Sequence, residues 1–78
     1  MQEFTISIRS FQDILDFVAL ATVQPFPVLV DNSQSQVNAK SFMGMFSLDY
    51  TQPTTVMIDC DSDEFHRFRR DAARFAAS

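Results

Sequence analysis

Two stretches of strict alternation constrain this chain most. In Glu3–Arg9, Phe4, Ile6 and Ile8 project one way and Thr5, Ser7 and Arg9 the other; in Thr54–Cys60, Val56, Ile58 and Cys60 oppose Thr55, Met57 and Asp59. Successive side chains of a strand leave on opposite faces, so each stretch predicts a strand whose apolar face must be covered. The covers are also legible. Ser10 stands three residues before Asp13 and ahead of Ile14, Phe17, Val18 and Ala21, the spacing of an amphipathic helix with a serine N-cap. That helix should run to about Val23, because Pro25 and Pro27 cannot continue it. Near the other end, Asp61 and Glu64 have capping-box spacing, and Phe65, Phe68, Ala72 and Phe75 form the buried stripe of a second helix.

Between these pairs, Val28–Asp31 and Ser35–Ala39 read as short strands around the polar turn Asn32-Ser33-Gln34, a hairpin without the glycine of the tightest turns. Ser41 then precedes Phe42-Met43-Gly44-Met45-Phe46, enough for one or two serine-capped helical turns. Phe42, Met45 and Leu48 are expected to face the core. Gly44, the only glycine, costs helix propensity there and predicts close approach to a neighbouring element or a partner. The order is βαββαβα. It predicts one α+β, two-layer domain over residues 1–78, a four-stranded antiparallel sheet with the helices packed on one face. Thr5, Ser7, Arg9, Thr55 and Asp59 are left to the outer face. No repeat, linker or low-complexity tract interrupts the chain.

Composition narrows the function classes. A chain of 78 residues has room for one small core, and 46% hydrophobic content with nine phenylalanines suits a fold held by packing alone. One cysteine, Cys60, and one histidine, His66, make neither an internal disulfide nor a zinc quartet. No metal or cofactor is expected, and the cysteine usage points to a reducing, cytoplasmic setting. No apolar run approaches the roughly 18 residues of a membrane span, and Gln2 and Glu3 do not start a signal peptide. A net charge of −4 argues against nucleic acid as a partner. Arg67, Arg70 and Arg74, with Arg69 beside them, recur at helical spacing and read as a solvated face near a helix C-terminus, where cations favour the macrodipole.

The segment Asn38-Ala39-Lys40-Ser41-Phe42-Met43-Gly44-Met45-Phe46-Ser47-Leu48 resembles the stretch around the regulatory serine of the HPr family of small phosphocarrier proteins, where A/L-K-S-I-M-G-V-M-S-L is typical. Thr51-Gln52, the strand Thr54–Cys60 and the lead-in Asp61-Ser62-Asp63-Glu64 are similar to the family too. The resemblance spans nearly the whole chain and implies the HPr open-faced β-sandwich, the same element order that periodicity gives. It also implies phosphoryl relay in the bacterial phosphoenolpyruvate-dependent sugar phosphotransferase system, through a histidine at the start of the first helix in a pattern such as G-L-H-A/T-R-P.

Here the sequence departs from the family. With Phe17-Val18 aligned to the usual F-V of that helix, Ser10 falls at the histidine, Gln12 at the arginine and Asp13 at the proline. A phosphohistidine P–N bond is labile, whereas a serine phosphoester is stable and would trap phosphate instead of forwarding it. Gln12 removes a cationic donor for phosphate oxygens and Asp13 adds repulsion. Ser10 is therefore read as a helix cap, and no catalytic residue is assigned. His66 lies within the last helix with no basic pair or glycine-rich loop around it, and reads as a half-exposed helix residue.

Ser41, by contrast, matches the family's regulatory serine. In low-GC Gram-positive bacteria that serine is modified by an ATP-dependent kinase, and the product binds a transcriptional regulator. Catabolite-repression HPr combines this serine with loss of the histidine, and the present sequence is similar to it. The resemblance thus implies regulatory phosphorylation at Ser41 and a partner-binding surface of Lys40, Met43 and Phe46, the partner being an HPr-type kinase or a transcriptional regulator. Two other readings stand beside a regulatory protein: a phosphocarrier using a non-standard acceptor, and a structural domain whose ancestral chemistry has lapsed.

Overall fold

The computed structural model describes residues 1–77. Its elements are β1 (Gln2–Ile6), α1 (Phe11–Thr22), β2 (Val28–Asp31), β3 (Gln36–Asn38), α2 (Phe42–Phe46), β4 (Thr54–Ile58) and α3 (Ser62–Asp71), followed by a 3-10 turn, Ala73–Phe75. The four strands form one antiparallel sheet in the order β1-β4-β2-β3, with Phe4 opposite Val56 and Val30 opposite both Val56 and Val37. This is the α+β architecture expected from the pattern.

Each alternating stretch ends earlier than its sequence pattern. Ile8 is buried, but β1 stops at Ile6, because the next backbone groups bond to the C-terminal segment: the Ser7 amide donates to the Phe75 carbonyl at 2.8 Å, and the Ala77 amide donates to Thr5 at 3.1 Å. Cys60 likewise lies beyond β4, half-buried at the edge of the core. Ser7, Arg9 and Asp59, assigned above to the outer face of the sheet, lie outside the strands. In the hairpin, Ser33 takes the positive φ (73°) that a glycine would adopt at lower cost, and the Asn32 side chain accepts from the Gln34 and Ser35 amides at 3.0 and 2.8 Å.

The phenylalanines divide cleanly. Phe4, Phe17, Phe26, Phe65, Phe68 and Phe75 are buried. Phe68 of α3 meets Phe4, Phe17 and Phe26 edge-on at 6.0, 6.2 and 5.9 Å between ring centroids, which ties both long helices to the sheet. Edge-to-face pairs of this kind contribute about 0.5–1.5 kcal/mol each beyond area burial. The Asp61/Glu64 capping box forms as its spacing predicts, fixing the start of α3. The other three phenylalanines, Phe11, Phe42 and Phe46, are exposed. Phe42 is a correction, since it was expected to face the core and is 46% exposed. Met45 and Leu48 fill the space beneath α2, and a five-residue helix has no further inward position for Phe42.

Candidate functional site

Two serine-capped helix starts hold the residues of interest. At α1, the Ser10 hydroxyl accepts from the Asp13 amide at 3.1 Å, and Asp13 Oδ2 accepts from the Arg9 amide at 3.0 Å. Ser10 thus satisfies a backbone donor that the first turn leaves free, and Asp13 satisfies that of Arg9, the residue before the cap. Gln12 donates to Asp16 Oδ1 at 2.8 Å, one turn along. The cation at this site comes from the far end of the chain. Arg74 Nη1 donates to Asp13 Oδ1 at 3.1 Å, Nη2 donates to Asp16 Oδ2 at 2.6 Å, and the guanidinium lies 4.1 Å over the Phe75 ring.

The reading of Arg74 as part of a solvated helix face is therefore corrected. Helix α3 ends at Asp71, and the 3-10 turn swings Arg74 onto α1, whereas Arg67, Arg69 and Arg70 stay exposed on α3. The Asp13 carboxyl is held below its ordinary value, chiefly by the Arg9 amide and also by Arg74, against a smaller opposing effect of burial.

At α2, the Ser41 hydroxyl accepts from the Gly44 amide at 3.1 Å, the same geometry as Ser10, but no acidic residue occupies the first turn. A Cβ on Gly44 would lie 3.3 Å from Val37 Cβ, so the close approach that the glycine predicts is to β3. Tyr50 pins the helix from below. Its hydroxyl donates to the Met45 carbonyl at 2.5 Å, and burial pushes its pKa up to about 12. Lys40 Nζ donates to the Gln24 carbonyl at 2.8 Å, so its ammonium braces the loop after α1 instead of standing free in solvent.

The outward surface of α2 is apolar. Met43 is 80% and Phe46 40% exposed. Phe46 stacks on Phe11 of α1 at 5.1 Å with 14° between ring planes, and on Phe42 at 6.4 Å with 22°. Sequence reasoning named Met43 and Phe46 but missed Phe11 and Phe42. Spacing gave no signal for Phe11: three residues before Ile14 and seven before Val18, it continues the Ile14/Phe17/Val18/Ala21 stripe, yet at the first turn of α1 it is 62% exposed.

The remaining candidates stand apart. His66 is exposed on α3, on neither helix start. A shallow groove of about 490 Å³, lined by Glu3, Asp31, Asp49, Thr55 and Met57 among others, contains neither Ser10 nor Ser41. Among the described residues, no three His, Cys, Asp or Glu side chains are grouped to hold a metal ion, and no helix is long and apolar enough to cross a membrane.

No family model and no curated protein matches the chain. A solved structure does. The crystal structure of HPr-C-His from Thermoanaerobacter tengcongensis superposes with a TM-score of 0.75 at 27% identity, over 95% of this chain and 92% of that one. Strand order, helix placement and this likeness converge: the chain has the HPr-like, phosphocarrier-type fold.

Proposed function

We propose that this is a non-catalytic, HPr-like regulatory protein of the bacterial phosphoenolpyruvate-dependent sugar phosphotransferase system, phosphorylated on Ser41 and meeting a protein partner through Met43 and Phe46. What carries the reading is the difference between its two helix starts. The family's histidine position holds Ser10, whose hydroxyl caps α1 beside two carboxylates. Ser41 opens a helix with an uncharged first turn and an exposed apolar face one residue away.

The chemistry follows from those surroundings. A phosphate on Ser41 adds about −1.5 to −2 charges at a helix start whose amide groups favour an anion. The Gly44 amide, which now donates to the Ser41 hydroxyl, is placed to donate to a phosphate oxygen. A serine phosphoester does not pass its phosphoryl group on readily, so modification here acts as a lasting mark and not as a relay step. The partner is a kinase of the HPr type or a transcriptional regulator, both in the cytoplasm. Lys40 serves this surface by holding the segment before Ser41 against the Gln24 carbonyl.

The test pairs two reagents. Incubation with ATP and an HPr-type serine kinase is expected to add one phosphate, lost in Ser41→Ala. Incubation with phosphoenolpyruvate and the first enzyme of the relay is expected to add none, and an acid-labile adduct there would replace this reading with that of a phosphocarrier using a non-standard acceptor.

A further inference from the structure

Lys40 joins two helix ends. The last turn of α1 carries no basic residue, although the free carbonyls of a helix C-terminus favour a cation. Lys40, from the loop between β3 and α2, supplies one: its Nζ donates at 2.8 Å to the carbonyl of Gln24, just beyond the end of α1. Lys40 also immediately precedes Ser41. The ammonium that closes the end of α1 thus belongs to the residue adjoining the proposed phosphate.

The backbone around Ser41 is held, and the lysine side chain is what can move. Asn38 Oδ1 accepts from the Lys40 amide at 2.9 Å, the Asn38 carbonyl accepts from the Ser41 amide at 3.0 Å, and the amide of buried Ala39 donates to the Val28 carbonyl at 2.8 Å. The Lys40 stem is a flexible four-carbon chain ending in a compact charge. Among the described residues its ammonium makes one hydrogen bond and no ion pair. That one acceptor is neutral. A phosphate on Ser41 adds about −1.5 to −2 charges and three strong acceptor oxygens on the adjacent residue, and a hydrogen bond between two ionised groups is stronger than one to a neutral carbonyl.

We propose that Lys40 is a switch that carries phosphorylation of Ser41 to α1: its ammonium leaves the Gln24 carbonyl for the phosphate, and the end of α1 loosens together with the loop that follows. The switch rests on Ser41 being the modified residue, and adds where in the fold the mark is reported. The loosened segment includes the exposed, apolar Val23, at the opposite end of α1 from the Phe11–Phe46 stack.

The test places phosphoserine at position 41 during synthesis of the full chain, by amber-codon incorporation, so that no kinase is needed. With Lys40 present, phosphate is expected to move the Gln24 carbonyl carbon resonance upfield, as for a lost hydrogen bond. Amide exchange at Gln24, which donates to the Ala21 carbonyl, should quicken several-fold. Lys40→Gln should show both changes without phosphate, and phosphate should add nothing further to them. Lys40→Arg, which keeps the cation, should restore the response to phosphate, with the circular dichroism spectrum of the parent. An unmoved Gln24 carbonyl in the phosphoserine protein, or a response of equal size in Lys40→Gln, would overturn the switch. Either result would leave phosphorylation of Ser41 standing, since that is decided by the kinase assay.

Discussion

The starts of α1 and α2 use the same cap and differ in everything around it. In both, a serine hydroxyl accepts from the amide three residues on at 3.1 Å. Around Ser10 the charges are already paired, with Asp13 and Asp16 shared by Arg74, and a phosphate would meet two carboxylates whose cation is engaged. At Ser41 the first turn holds no acidic residue to oppose an added anion, and the neighbouring rings offer a partner apolar area. A helix N-terminus is thus not enough to define an anion site; the side chains of the first turn decide whether its dipole is already used.

The sharpest way to break this contrast is to remove the apolar face. Met43→Ala with Phe46→Ala should weaken partner binding by about 100-fold or more, measured by calorimetry, while Ser10→Ala leaves affinity unchanged. Equal losses in the two variants would remove the distinction between the helix starts. Stability should respond more evenly. Ser10→Ala and Ser41→Ala are each expected to cost about 1 kcal/mol in urea unfolding, since each removes one cap of the same geometry.

Two smaller effects separate the regions by pH. Tyr50→Phe should cost about 1 kcal/mol through the lost bond to α2. Because the folded-state pKa of Tyr50 is raised from 10.0 to about 12, its contribution is fully present below pH 10 and is lost as pH rises towards 12. Arg74→Ala should cost about 0.5 kcal/mol, as for a solvent-exposed ion pair, and should raise the Asp13 pKa in an NMR titration. Asp13 has the opposite sign. Its pKa lies below 3.8, so its contribution is present above that value and is lost as pH falls through the lowered one. Alkaline loosening should begin at α2 and acid loosening at the α1–Arg74 contact; the reverse order would show that each anchor has been assigned to the wrong region.

Much of this was legible in the sequence because local rules act there. The period-two stretches, both serine caps, the Asp61/Glu64 capping box and the inward set Phe65, Phe68, Ala72 and Phe75 all follow from spacing alone. What escaped depends on contacts between distant residues. The Arg74 link to Asp13 and Asp16 spans most of the chain and appears only once the 3-10 turn redirects the residues after Asp71. The exposure of Phe42 depends on how Met45 and Leu48 fill the space under α2, and the Phe11–Phe46 stack on how two helices meet. The Ser41 segment was conspicuous through its family resemblance, but resemblance alone gave no reason to prefer one capped serine over the other.

The most direct test of that preference is intact-mass analysis with site mapping after incubation with ATP and an HPr-type serine kinase. One acid-stable phosphate on Ser41, unaffected by Ser10→Ala and absent from Ser41→Ala, is the predicted result. Phosphate on Ser10, or an unmodified protein under conditions that fully modify an authentic HPr, would contradict it.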